Sequence, residues 1–154
     1  MGTRSLTTFI EQWKDEKTQK VKQSKIVTLY RQMDGYPTGM GVDLAEFLAS
    51  GKMVNGVGFN ETQLVFSGMG CLAAQVVAHF KDGAGGYYLH RGGTINCWEE
   101  YRYEVIYDDD TKELLFKVIE IGYINDKGKY VNKPKELFFG SPKEFLVSEL
   151  VLEK

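Results

Sequence analysis

Residues 100–124 read EYRYEVIYDDDTKELLFKVIEIGYI, two strand-like arms around a polar tip. The arms, EYRYEVIYD and LLFKVIEIGYI, are rich in the β-branched and aromatic residues that pack well on a pleated surface. The polar tip DDDTKE between them has the composition of a hairpin connection. GYYLHR (86–91) precedes the pair and KELFFG (135–140) follows it, with NDKGK as a second tip. From residue 86 to residue 140 the chain reads as an antiparallel meander.

Upstream, SLTTFI (5–10) and IVTLYR (26–31) have the same strand composition. The polar run DEKTQKVKQS (15–24) between them reads as an exposed, mobile connection, giving an N-terminal β-hairpin. A helix over residues 8–20, with Phe9, Ile10 and Trp13 on one face, is its rival. Two helices follow. QMDGYPTGMG (32–41) turns at Asp34-Gly35 and Pro37, after which Leu44, Phe47 and Leu48 fall at helical spacing and Gly51 supplies the stop. KMVNGVGFNETQLVF (52–66) is ambiguous, with a turn at Asn55-Gly56 and a short strand over 63–66. SGMG then leads into CLAAQVVAHFKDG, where Leu72, Val76 and Phe80 share a stripe with Ala73 and Val77 beside it. Ala74 and Ala78 leave most of the remaining surface apolar as well. The spacing predicts a central core helix over 70–81, buried on most sides.

Ser141-Pro142-Lys143-Glu144 sets a capping box over a proline at the first helical position. A last helix is predicted there, carrying Phe145, Leu146 and Leu150. The order of elements gives an α+β class with a mostly antiparallel sheet, two central helices and a C-terminal helix. At 154 residues the chain is expected to form one domain over 1–154.

Composition narrows the function classes. Nineteen Lys and Arg against 21 Asp and Glu give a net charge of −2, so no strong field draws duplex nucleic acid or an anionic membrane. Nine Tyr, nine Phe and two Trp are too aromatic for a disordered chain. The start MGTRSLTTFIEQW has no apolar signal core, and Leu6 stands where a myristoylation motif needs Ser or Thr. Cys71 and Cys97 read as reduced thiols of a cytoplasmic protein. No cofactor fingerprint is present, and two histidines without a Cys-x-x-Cys pair give no metal site. Asp108-Asp109-Asp110 lacks the glycine and closing glutamate of a calcium loop.

The candidate ligand site lies in two glycine-bearing loops, each leading into a helix. The first turn of a helix offers amides without internal partners and the positive end of a dipole, a combination that takes phosphate or carboxylate. Arg4, Arg31, Asp34, Tyr36, Thr38, Gly39 and Gly41 mark one loop. Gly68, Met69 and Gly70 mark the other. The bland reading is that the glycines only turn the chain and Asp34 caps it. If both helices run the same way, their starts face one pocket. Tyr88, His90 and Arg91, beside Gly92-Gly93, are candidates for its rim, against the simpler reading of a half-buried strand. Cys71, Gln75 and His79 line up along the second helix, but the eight-residue step from Cys71 to His79 spans about 12 Å, which excludes a nucleophilic pair.

The opening MGTRSLT, YRQMDGYPTGMG (30–41) with its LAEFL helix, the VNG turn, and GMGCLAAQVVAHFK (68–81) resemble a largely uncharacterised family of small phage- and bacteria-encoded proteins. The EEY strand start and the ending GSPKEFL (140–146) share the likeness. The resemblance implies a phage or bacterial origin, in the host cytoplasm if phage-encoded, and special standing for the two glycine loops. It carries over no catalytic residue. The chain departs from the family in its Lys-rich insertion between Trp13 and Lys25.

These readings point to a protein that binds a small anionic, nucleotide-derived ligand, and by analogy one that sequesters a host defence signal. A small hydrolase or transferase acting on such a ligand, with Asp34 or His79 as general base, is the alternative from enzyme chemistry. A protein–protein inhibitor module is the third. A homo-oligomer is compatible with all three.

Overall fold

The computed structural model describes residues 2–54 and 64–152. β1 (Ser5–Lys14) and β2 (Val21–Arg31) form the N-terminal hairpin, paired from Ser5 opposite Arg31 to Lys14 opposite Val21, with a bulge after Phe9. The rival helix does not form. Both strands outrun their apolar cores because backbone pairing continues past them, so residues 21–24 are strand and the exposed connection shrinks to 15–20.

β5 (Tyr87–Arg91), β6 (Tyr101–Asp108), β7 (Glu113–Glu120) and β8 (Lys135–Gly140) complete a six-stranded sheet of order β5-β2-β1-β6-β7-β8. The class is α+β and the sheet is mostly antiparallel, with one parallel pair, β1 beside β6. The meander is therefore shorter than its composition suggests. β6, β7 and β8 make it, while β5 pairs with β2 on the far side of the hairpin. Residues 92–100 carry the chain back across β2 and β1, held where the Gly93 amide donates to Thr28 Oγ1 at 2.9 Å and the Glu100 amide to the Arg4 carbonyl at 2.9 Å. β7 stops at Glu120, and Gly122 at φ +102° takes a backbone turn that side chains resist.

All the helices pack on one face. One wide turn of π-helix (Pro37–Gly41) runs directly into α1 (Val42–Ala49). β3 (Lys52–Val54) and β4 (Val65–Ser67) form a small parallel pair, and α2 (Gly68–Phe80) starts as β4 ends. The turn expected at Asn55-Gly56 lies outside the described residues. Phe9, Leu29, Tyr103, Val105, Phe116 and Val118 from the sheet meet Leu44, Leu48, Leu72, Val76 and Phe145 from the helices in one core.

α2 is less enclosed than its composition implies. Met69, Leu72, Ala73 and Val76 are buried, Val77 and Phe80 are half-buried, and Ala74, Ala78 and His79 are exposed. A single sheet covers one helix face, and alanine costs little to leave in water. α1 is the more enclosed helix, with only Glu46 exposed.

At the C-terminus the capping box forms in full. Ser141 Oγ accepts from the Glu144 amide at 3.1 Å, and Glu144 Oε1 accepts from the Ser141 amide at 2.8 Å. The expected single helix is two, α3 (Pro142–Leu146) and α4 (Glu149–Leu152), because Ser148 turns its hydroxyl back onto the Phe145 carbonyl at 2.6 Å. Among the described residues no helix is long and apolar enough to cross a membrane.

Candidate functional site

The Asp34 loop is a plug on the end of the sheet. Asp34 sits at φ +56°, its carbonyl takes the Met40 amide at 2.8 Å, and its carboxylate takes the Tyr36 hydroxyl at 3.2 Å. That hydrogen bond to a carboxylate raises the Tyr36 pKa above its ordinary value. The Gly35 amide donates to the Thr3 carbonyl at 2.8 Å, beside Arg4, and the buried Tyr103 hydroxyl donates to the Gly35 carbonyl at 2.6 Å. A β-carbon at Gly39 would run into the Asp34 carbonyl, and one at Gly41 would meet the rings of Phe145 and Tyr103. Thr38 is half-buried between them.

The amides expected to face an anion are already used. Those of Gly39 and Gly41 donate to the Tyr36 carbonyl, at 2.9 and 3.5 Å, and that of Met40 to Asp34. Arg31 is used as well. Its Nε donates to the Met33 carbonyl at 2.6 Å, its Nη1 pairs with Asp43 at 3.0 Å, and its guanidinium lies 5.6 Å over the Tyr87 ring. Here the bland reading of the glycines accounts for the geometry, although Asp34 makes no helix cap.

The two loops do not meet. Gly35 lies against Arg4 and Ser5, at the start of β1, while Gly68 and Met69 share a cleft with Glu11 and Tyr107. Glu11 lies six residue steps along the strand from Ser5, roughly 20 Å. The helices agree, since Asp43 in the first turn of α1 lies beside Phe80 at the end of α2, and Leu48 and Ala49 at the end of α1 lie beside Gly68. The rim residues divide too. Arg91 is in register with Val27, on the Arg31 side of β2, whereas Tyr88 and His90 stand opposite Tyr30 and Thr28 and pack against the Tyr30 ring on the other face.

Chemistry gathers instead where β1 and β6 end together. A cleft of about 620 Å³ opens there, with Leu48, Met53, Met69 and Leu114 along its apolar walls and the half-buried Tyr107 beside them. Lys52, Lys112 and Lys143 reach it from three separate segments, with Glu11 and Asp109 as the acids among its described lining residues. None of the ion pairs among the described residues involves these three lysines. α2 starts in its wall. Ser67, at the cap position, makes no side-chain cap, Gly68 is at φ +85°, and the space beside Gly68 and Gly70 is open.

No single run of sequence could show this cleft, because its lysines come from β3, the β6–β7 tip and the start of α3. Only the Gly68–Gly70 turn was legible. Lys143 reads as part of a cap and Lys112 as part of a hairpin tip.

A second polar centre lies under the crossing segment 92–100. Glu99 is fully buried and accepts from the amides of Asn96 (3.2 Å) and Cys97 (2.6 Å), from Arg102 Nε (2.7 Å) and from the Tyr130 hydroxyl (2.9 Å). Burial, and then the bond to Glu99, hold the Tyr130 hydroxyl protonated far above its ordinary range. Burial likewise pushes the Cys97 thiol up, against a thiolate role. Cys71 Sγ donates to Gln75 Oε1 at 3.0 Å and His79 stacks on Phe47 at 4.4 Å, so the two do not form a pair. Among the described residues no three His, Cys, Asp or Glu side chains gather to hold a metal ion.

No family model, curated protein or solved structure matches this chain.

Proposed function

We propose that this protein binds a small anionic, nucleotide-like ligand in the cleft between the ends of β1 and β6 and the start of α2. The observation that carries the reading is the meeting, in one cleft, of an uncapped glycine-led helix start with three lysines outside every ion pair described above. Helix-start amides and ammonium groups together suit phosphate oxygens. The volume falls within the usual range for small-molecule sites. Tyr107, Met53 and Leu114 offer a base or other apolar ring a surface to lie on, and Glu11 and Asp109 offer acceptors to sugar hydroxyls. The Asp34 loop and Arg31 belong to the scaffold in this reading. Sequestration of a nucleotide signal fits a binder with this arrangement of amides and ammonium groups.

The test is titration calorimetry and thermal melting with inorganic phosphate, pyrophosphate and the common ribonucleoside mono- and diphosphates. Binding with a rise in melting temperature is expected, weakened in Lys143→Glu and Lys112→Glu and retained in Arg31→Lys. Absence of binding by the whole panel would end the proposal, and so would affinity that ignores the lysine reversals.

A further inference from the structure

The segments 95–98 and 122–131 form a second surface, at the other end of the sheet from the cleft, since it adjoins the start of β6 and the cleft adjoins its end. Ile95, Trp98, Tyr123 and Val131 are each 45–57% exposed there. The two segments are one unit. Trp98 lies against Gly128, where a β-carbon would come within 3.0 Å of the indole, and Tyr130 reaches under it to Glu99. Beside Trp98 is a hollow of about 320 Å³, bordered by Asn96, Ile124, Gly128, Lys129 and Tyr130.

Two features show that the exposure of Trp98 is imposed. Asn96 and Trp98 stand at φ +62° and +65°, and for a bulky side chain that conformation is a true outlier. The buried Glu99, with four donors on its carboxylate, holds the turn in place. A fold that keeps an indole in water on a strained backbone spends stability that a glycine at the same position would save. The charge around it is also distinctive. Within 122–131 Lys127 and Lys129 outnumber Asp126, net +1 in a chain of net −2, and Lys129 borders the hollow itself.

We infer that this surface docks a protein partner through an acidic segment bearing one large apolar side chain. The apolar side chain enters the hollow and lies on Trp98, and its acidic neighbours meet Lys129 and Lys127. Trp and Tyr ringed by charge are the usual anchors of protein interfaces, and the exposed aliphatics Ile95 and Val131 fit a protein better than a nucleic-acid strand. The surface is independent of the cleft, and its failure would leave the cleft untouched.

The experiment selects a displayed library of random 12-residue peptides against the full chain, with a (dT)12 oligonucleotide measured in parallel by anisotropy. Expected are peptides in which acidic residues flank Leu, Phe or Trp, with affinity falling at least tenfold in Trp98→Gly and in Lys129→Glu and falling with added salt. Trp98→Gly relieves the backbone while removing the ring, so its melting temperature should not drop by more than a few degrees. A second variant, Tyr123→Ser, keeps the test open if that one unfolds. Peptides without the acidic pattern, binding indifferent to these changes, no enrichment, or preference for the oligonucleotide would each overturn the inference.

Discussion

The buried hydroxyl of Tyr103 donates to the carbonyl of Gly35 at 2.6 Å and so ties the Asp34 loop to the middle strand of the β1–β6–β7 group. Replacing Tyr103 by Phe keeps the ring stacked on Phe116, at 5.8 Å and 8°, and removes only the donor. The Gly35 carbonyl is then left in a buried place without it, a loss of about 1–3 kcal/mol. Gly35→Ala should cost more, since the added carbon would lie 2.8 Å from Arg4 and Ser5 backbone and side-chain atoms. Chemical denaturation of both variants checks this. A Tyr103→Phe variant as stable as the parent would show that water replaces the phenol.

How much of this was legible follows from what each residue answers to. The hairpin, the strands and the Ser141 cap answer to local composition and form along those stretches, although β2 starts early, β7 stops at Glu120 and β5 pairs outside the meander. The parallel contact of β1 with β6 does not, because nothing in SLTTFI names its partner across 96 positions, as Thr8 opposite Glu104 shows. The glycines of both loops were visible, but not which would be filled. Gly35, Gly39 and Gly41 are pressed against neighbours, while Gly68 and Gly70 face open space, and that difference is set by tertiary packing alone.

Core truncations should rank by enclosure rather than by size. Phe116 is fully buried among Tyr103 and Phe145, so Phe116→Ala is expected to cost about 3–5 kcal/mol. Phe80 is half-buried against Phe47 and Tyr87, so its truncation should cost clearly less. Urea midpoints with unchanged slopes decide it, and equal losses at the two positions would contradict the packing described.

Stability should decline on the alkaline side. Burial raises the folded pKa of Tyr103 and of Tyr130 above the ordinary 10.0, and the bond to Glu99 adds to the rise at Tyr130. A raised folded pKa gives stability that is whole below the unfolded value and is lost as pH climbs through the folded one. Unfolding free energy measured from about pH 8 to about pH 12 should be flat at first and fall above pH 10. Tyr130→Phe should flatten part of that fall. A tyrosinate absorbance titration of the native protein in which all nine tyrosines ionise together near pH 10 would contradict it.

Lys112 offers the sharpest separation of stability from binding. It stands at φ +62° at the tip between β6 and β7, its amide bonded to the Asp108 carbonyl at 2.8 Å, and it lines the cleft. A left-handed backbone costs a side-chain-bearing residue about 1–2 kcal/mol, and glycine, which avoids that, loses about 0.5–1 kcal/mol in chain entropy. Lys112→Gly should therefore raise stability slightly, by about 0.5–1 kcal/mol, since the Asp108 turn is kept. The same change removes one of three ammonium groups from the cleft and should weaken pyrophosphate several-fold, about 1 kcal/mol. Lys112→Asn, which tolerates the left-handed turn but carries no charge, should bind as poorly as the glycine variant. A variant that melts higher and binds pyrophosphate as the parent does would place Lys112 outside the site and leave its strained backbone without a functional reason.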